Sequence, residues 1–341
     1  MRHVTTIKAA SVAAALAFTL AACSTSSETE STASASSTGS SSEEAGGSAE
    51  TLDVAFIQGV IGDNFYISME CGVLAAAEDI GGIDVSVQGG QKWDPALQQP
   101  IVTSVMATSP DAILIAPNDI SALQRPLEEA AENSKVVLVD TTVEDPSFAV
   151  SQIASDNIGG GAAAFAAIQE LVPEGGQVLV IDNQPGISTS DARVEGFEGA
   201  VEADSNFEYV GVQYAKNEPS KAAEIVTSTL QRYPDLKAIF ATNIFGAEGA
   251  ATGIEQAGVA GQVQVIGFDA GPAQVEALED GTVQALIAQQ PYQIGYQGVE
   301  QAVAALRGEP TEANIQTGFT IVTKDTLGTD EGQAALYAST C

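Results

Sequence analysis

Short apolar runs rich in β-branched residues alternate along this chain with longer segments whose apolar positions recur at helical spacing. The runs lie at Leu52–Ile57, Ile83–Val87, Ala112–Ala116, Val136–Val139, Val178–Ile181, Tyr209–Tyr214, Ala238–Ala241, Val263–Phe268 and Ala285–Ala288. Helical patterns fill segments between them, among them Ser121–Ala131, Gly160–Leu171, Lys221–Arg232 and Ile294–Leu306. Continuous apolar strands separated by helices predict parallel sheets covered on both faces. The strands are too many for one such sheet with sensible loops, and the rhythm restarts after Ser155. The predicted fold class is therefore α/β, with two doubly wound parallel-sheet lobes. Ligands of such sheets bind beyond the carboxyl ends of the strands.

The pattern is different before Leu52. Arg2, His3 and Lys8 precede an apolar run from Ala9 to Leu20 that is too short to span a bilayer as a mature helix. It ends in Leu20-Ala21-Ala22-Cys23, which predicts a signal peptide over 1–22 and a lipidated Cys23. Ser, Thr, Glu and Gly dominate from there to Ala49, a composition that cannot bury enough surface to order itself, so 23–50 is expected to be the lipidated Cys and a flexible linker. The folded body is expected from about Thr51 to the C-terminus. Its size again calls for two lobes.

Charge and residue counts narrow the chemistry. Removing Arg2 and Lys8 with the signal leaves ten Lys and Arg against 45 Asp and Glu, a net charge of −35. Such a surface repels nucleic acid and anionic lipid. His3 is the only histidine and leaves with the signal, so no His-based triad and no His-ligated metal is expected. Beyond Cys23 only Cys71 and Cys341 remain, too few for a cysteine zinc site. In an oxidising compartment this pair predicts a disulfide tying the tail to the first helix, with two free thiols as the alternative. No Gly-x-x-x-x-Gly-Lys-Ser/Thr motif occurs. Gly159-Gly160-Gly161 lacks dinucleotide spacing and predicts close packing, so no cofactor is expected.

What stands at the strand ends is more telling. Gly62-Asp63-Asn64-Phe65-Tyr66 follows the first strand, Gln91-Lys92-Trp93-Asp94 the second, and Asp140-Thr141-Thr142 the fourth. The second half adds Asn183, Ser188-Thr189-Ser190-Asp191-Ala192-Arg193, Asn217, Asn243, Asp269 and Gln289. Any one of these is explained by helix capping. Their convergence on one edge predicts a polar site.

In order and spacing, these residues resemble the ribose-type periplasmic sugar-binding proteins. Asp63-Asn64-Phe65-Tyr66 stands at the family's Asn-Pro-Phe-Phe segment. Val139-Asp140, Gln152-Ile153-Ala154-Ser155-Asp156-Asn157, Arg193-Val194-Glu195-Gly196-Phe197, Ala241-Thr242-Asn243, Val265-Ile266-Gly267-Phe268-Asp269 and Ile287-Ala288-Gln289 complete the series. The resemblance runs from Leu52 to about Val322. It implies the type I periplasmic-binding-protein fold with a three-strand hinge near Ser155, Gln290 and Gly318. One lobe is then 51–154 plus 290–319, and the other, with the tail, 155–289 plus 320–341.

The resemblance also implies roles. Phe65 and Tyr66 cover the C–H faces of a sugar or polyol, while Asp140, Arg193, Asn243, Asp269 and Gln289 bond its hydroxyls. Asp63, Thr141 and Asn217 are expected in the same contact set although they depart from the family pattern, and Trp93 is expected to add a second stacking face or to pack elsewhere. Three carboxylates against the single cation Arg193 favour a neutral sugar or polyol over phosphates and sugar acids. The expected protein is a monomeric solute-binding lipoprotein on the outer face of the cell membrane. Hinge closure captures the ligand, and the partner is an ABC permease. The export signal and the missing DNA-binding headpiece exclude a transcriptional regulator. A receptor for a furanosyl signal is the alternative within binding. A carbohydrate-active enzyme is the alternative outside it, disfavoured because amides and Arg193 are expected to hold the carboxylates ionised. Arg193→Ala is expected to abolish binding without altering the melting temperature of the empty protein.

Overall fold

The computed structural model describes residues 51–341. The segments expected to be a signal peptide (1–22) and a lipidated Cys23 with its linker (23–50) lie outside the described residues.

In the first half the elements are β1 (Leu52–Gln58), α1 (Asn64–Ile80), β2 (Ile83–Gly89), α2 (Pro95–Met106), β3 (Ala112–Ile115), α3 (Gln124–Ala131), β4 (Lys135–Val139) and β5 (Ser151–Ser155). The second half repeats the scheme with α4 (Asn157–Leu171), β6 (Gly176–Asp182), α5 (Ser188–Glu202), β7 (Phe207–Tyr214), α6 (Pro219–Arg232), β8 (Leu236–Ala241), α7 (Ile244–Ala257), β9 (Gln264–Phe268), α8 (Pro272–Asp280) and β10 (Ala285–Gln289). The chain ends with α9 (Pro291–Leu306), β11 (Asn314–Thr317), β12 (Phe319–Thr323) and α10 (Asp330–Ala334).

Two six-stranded sheets result, in the orders β11-β5-β4-β3-β1-β2 and β12-β10-β9-β8-β6-β7. The orders are equivalent, so each strand of one lobe has a counterpart in the other. The nine apolar runs are all strands, because β3, β4, β8, β9 and β10 are buried on both faces. Three strands have no apolar run to announce them. β5 alternates buried and half-buried residues, and β11 and β12 are edge strands with polar positions. β12 also runs antiparallel to β10, the one departure from parallel pairing among the described residues.

The chain passes between the sheets three times. It leaves β5 for α4, which packs on α5 and β9; it leaves β10 for α9, which packs on α1 and β4; and it runs from β11 to β12. The Gly159–Gly161 cluster serves close packing: a Cβ on Gly161 would lie 2.0 Å from the carbonyl oxygen of Arg193, bringing α4 hard against α5. After α10 the chain returns to the first lobe, where Cys341 is bonded to Cys71 of α1, their Cα atoms 5.2 Å apart.

Candidate functional site

One cavity is lined from both lobes at the carboxyl ends of their strands. Asp63, Phe65, Tyr66, Trp93 and Asp140 come from the first lobe; Asn183, Ile187, Thr189, Ser190, Arg193, Asn217, Asn243, Asp269 and Gln289 from the second. The centres of water molecules have about 50 Å³ of room there, against roughly 10–15 Å³ for a single water. That is space for a few waters or for one small ligand in their place.

The first-lobe wall is built on the start of α1. Asp63 caps the helix by accepting from the Phe65 N–H at 2.8 Å. Capping and lining are thus one role here, because the cap places Phe65 and Tyr66 in the first turn, both buried. Tyr66 Oη donates to Asp140 Oδ2 at 2.6 Å. Trp93 lies nearly parallel to Tyr66, with ring centroids 6.3 Å apart and planes 28° apart, and its Nε1 donates to the Asn118 carbonyl at 2.9 Å. Gly59 makes this approach possible: a Cβ there would lie 2.3 Å from the Trp93 ring and 2.5 Å from Tyr66 Oη.

Arg193 centres the second-lobe wall. It is 4 % exposed, donates from Nε to Asn157 Oδ1 at 2.9 Å and from Nη1 to the Thr242 carbonyl at 2.8 Å, and lies 3.8 Å over the Phe268 ring. No carboxylate pairs with it within 4.0 Å among the described residues, where the only ion pair of that reach is Arg125–Glu129. Its charge therefore stands toward the cavity with Nη2 uncommitted to protein. Asn243 caps α7 through Gly246 N and donates from Nδ2 to Asn217 Oδ1 at 2.5 Å. Gln289 donates to Asp269 Oδ1 at 2.6 Å and accepts from Ser155 Oγ at 2.7 Å.

Two expectations are corrected. Thr141 does not line the cavity; it is buried behind it, with its hydroxyl donating to the Pro117 carbonyl at 2.8 Å. Nor are the carboxylates held in their ordinary range. Burial, reinforced by the neighbouring Asp269 and Asp140, pushes the half-buried Asp63 up to about 7. Burial also raises Asp140, to about 6, against the opposing pull of Arg193 and the Tyr66 hydrogen bond. Asp269 is raised for the same first reason. One guanidinium and a set of amides do not offset the loss of water around three carboxylates. Although the three converge, no group of His, Cys, Asp or Glu among the described residues is arranged to hold a metal ion.

Four lining residues carry no ligand role in the sequence reading. Asn183 and the Thr189-Ser190 pair stand among its strand-end groups, and Ile187 offers no polar signal at all. Asn183 is the most informative, since its Oδ1 is buried without a hydrogen-bond partner.

A model of the periplasmic binding protein domain matches residues 54–310, most of the chain. This chain belongs to that family. Among its relatives, the Escherichia coli ribose import binding protein RbsB is 32% identical over 272 residues, covering 80% of this chain and 90% of the relative. Two solved structures share the fold of this binding protein. An ABC transporter solute-binding protein from Agrobacterium vitis, bound with alpha-D-tagatopyranose, has a TM-score of 0.82 and 36% identity, covering 84% of this chain and 99% of the other. A carbohydrate transporter solute-binding protein from Agrobacterium radiobacter, in complex with D-arabinose, has a TM-score of 0.80 and 29% identity over 85% and 99%. These are type I, two-lobed binding proteins, and they are not enzymes.

Proposed function

We propose that this binding protein captures one small neutral sugar or polyol by hinge closure and delivers it to an ABC permease from the outer face of the cell membrane, where lipidated Cys23 holds it. The observation that carries the reading is the cavity itself, in which aromatic faces and densely packed polar groups from both lobes surround a space of monosaccharide scale. Each hydroxyl of a sugar both donates and accepts, and a buried one without a partner costs about 1–3 kcal/mol. Arg193, Asp140, Asp269, Asn243, Gln289 and Asn183 answer that demand. Phe65, Tyr66 and Trp93 cover apolar C–H faces. Residues 51–154 with 290–319 move as one body against 155–289 with 320–337, while the last residues of the tail stay tied to α1 of the first body.

A thermal-shift screen of pentoses, hexoses, polyols and furanosyl signals, with D-arabinose, D-tagatose and D-ribose included, tests the proposal. A ligand of the folded state raises the melting temperature by mass action. Failure of every sugar and polyol to do so overturns the transport reading, and a response to furanosyl signals alone would replace it with signal reception. Membrane retention of a Cys23→Ser variant would overturn the anchor.

A further inference from the structure

The segment after Val322 lies beyond the residues that carry the family likeness and beyond the family match at 54–310. It nevertheless sends a buried side chain to the site. Tyr337, 6 % exposed, donates from Oη to Asp269 Oδ1 at 3.0 Å and accepts from the Gln289 N–H at 2.9 Å. Gln289 Nε2 bonds the same Asp269 oxygen, so the two donors together set the rotation of the carboxylate that lines the cavity. The Tyr337 N–H donates to the Ala270 carbonyl at 3.1 Å, and its ring packs 5.9 Å from that of Phe65.

The next residues belong to the other lobe. Ala338 donates from its N–H to Ser68 Oγ at 2.8 Å and accepts from Asn64 Nδ2 at 2.9 Å, both on α1, and Cys341 is bonded to Cys71 of the same helix. Within five residues the tail passes from the strand ends of the second sheet to a covalent anchor on the first lobe. A free chain terminus frays unless it is tied down. Here the tie lies four residues beyond the side chain that meets Asp269.

We propose that Tyr337 is a positioning residue of the ligand site, delivered there by the Cys71–Cys341 anchor, so that the geometry of Asp269 depends on an oxidised tail. This rests on the cavity being the sugar site. The charged and titratable groups around Asp269 are Asp63 capping α1, Asp140 just after β4, Arg193 of α5 and Tyr337 itself, with Tyr66 bonded to Asp140 and Glu248 of α7 close to Asp63. The Tyr337 hydrogen bond favours the ionised Asp269, opposing the burial that raises it.

Two measurements need no sugar. In protein labelled with ¹³C at the aspartate carboxyls, Tyr337→Phe keeps the ring but removes the donor. The Asp269 titration, assigned with Asp269→Asn, is expected to move up by about half a pH unit or more. An unmoved midpoint overturns the positioning role. By hydrogen exchange, Cys71→Ser/Cys341→Ser is expected to speed exchange of the Tyr337 and Ala338 amides about 100-fold while the β-strands stay protected. Unchanged exchange overturns the anchor. A sugar arm with D-ribose, D-arabinose and D-tagatose is expected to show roughly tenfold weaker binding for Tyr337→Phe, with its acid limb moved to higher pH. A purely structural role would lower the melting temperature and leave that limb in place. If wild type binds no sugar, the functional proposal fails while the two sugar-free measurements still decide this one.

Discussion

Asp140 and Asp269 end equivalent strands of the two sheets, and each turns there through left-handed backbone, at φ 65° and 79°. Each also donates its N–H to the neighbouring strand, Asp140 to Ile153 at 2.8 Å and Asp269 to Ile287 at 2.9 Å. Asp tolerates this conformation better than most residues, yet it costs on the order of 1–3 kcal/mol and persists only where surroundings enforce it. The same turn, made once in each lobe, brings two carboxylates to one cavity.

Burying these carboxylates has a measurable cost with pH. The folded-state values of Asp63 and Asp140, about 7 and about 6, exceed the ordinary 3.8. Protonation therefore favours the folded state: the contribution is full below about pH 4 and is lost as pH rises through about 6 and about 7. Asp63→Asn keeps a good N-cap and removes the charge. Relative to wild type, the variant is expected to gain little at pH 4.5 and about 1–3 kcal/mol at pH 8, checked by paired thermal melts. An equal difference at both values would show that Asp63 is ionised throughout.

Arg193→Ala is expected to abolish sugar binding, and the structure adds a cost that the sequence reading lacked. Truncation strands Asn157 Oδ1 and the buried Thr242 carbonyl and bares the Phe268 face. A destabilisation of about 1–3 kcal/mol in the sugar-free protein should follow, read from denaturant unfolding. Full retention of stability would mean that water replaces the guanidinium without penalty.

Gly59→Ala places a methyl where Tyr66 and Trp93 now meet. Because Trp93 is the sole tryptophan, its fluorescence reports the disturbance directly. The emission should shift, and sugar affinity should fall about tenfold or more through loss of the stacking wall. An unshifted spectrum would refute the contact.

Asn183→Ala separates binding from folding. Its Oδ1 has no partner among the described residues, so truncation should leave the sugar-free melting temperature unchanged or slightly raised. Binding should weaken by about 1–2 kcal/mol if that oxygen accepts from a ligand hydroxyl, as calorimetry would read. Unaltered affinity would remove Asn183 from the site.

The sequence by itself determined the layers. Nine apolar runs, five of them buried on both faces, have no stable arrangement except inside helix-covered sheets, and the polar residues that end them mark the edge where the cavity lies. Local chemistry also marked Asp63 and Asn243, whose capping positions are legible from the residues that follow them. Tertiary structure decided what depends on neighbours distant in the chain. It turned Thr141 toward Pro117 and away from the cavity, since the direction of a side chain at a strand end follows from backbone torsions that composition does not encode. It raised the carboxylates, because desolvation is a property of the closed space and not of the residue. And it brought Tyr337 to Asp269 across 68 positions of sequence, a contact that only the path of the tail could make.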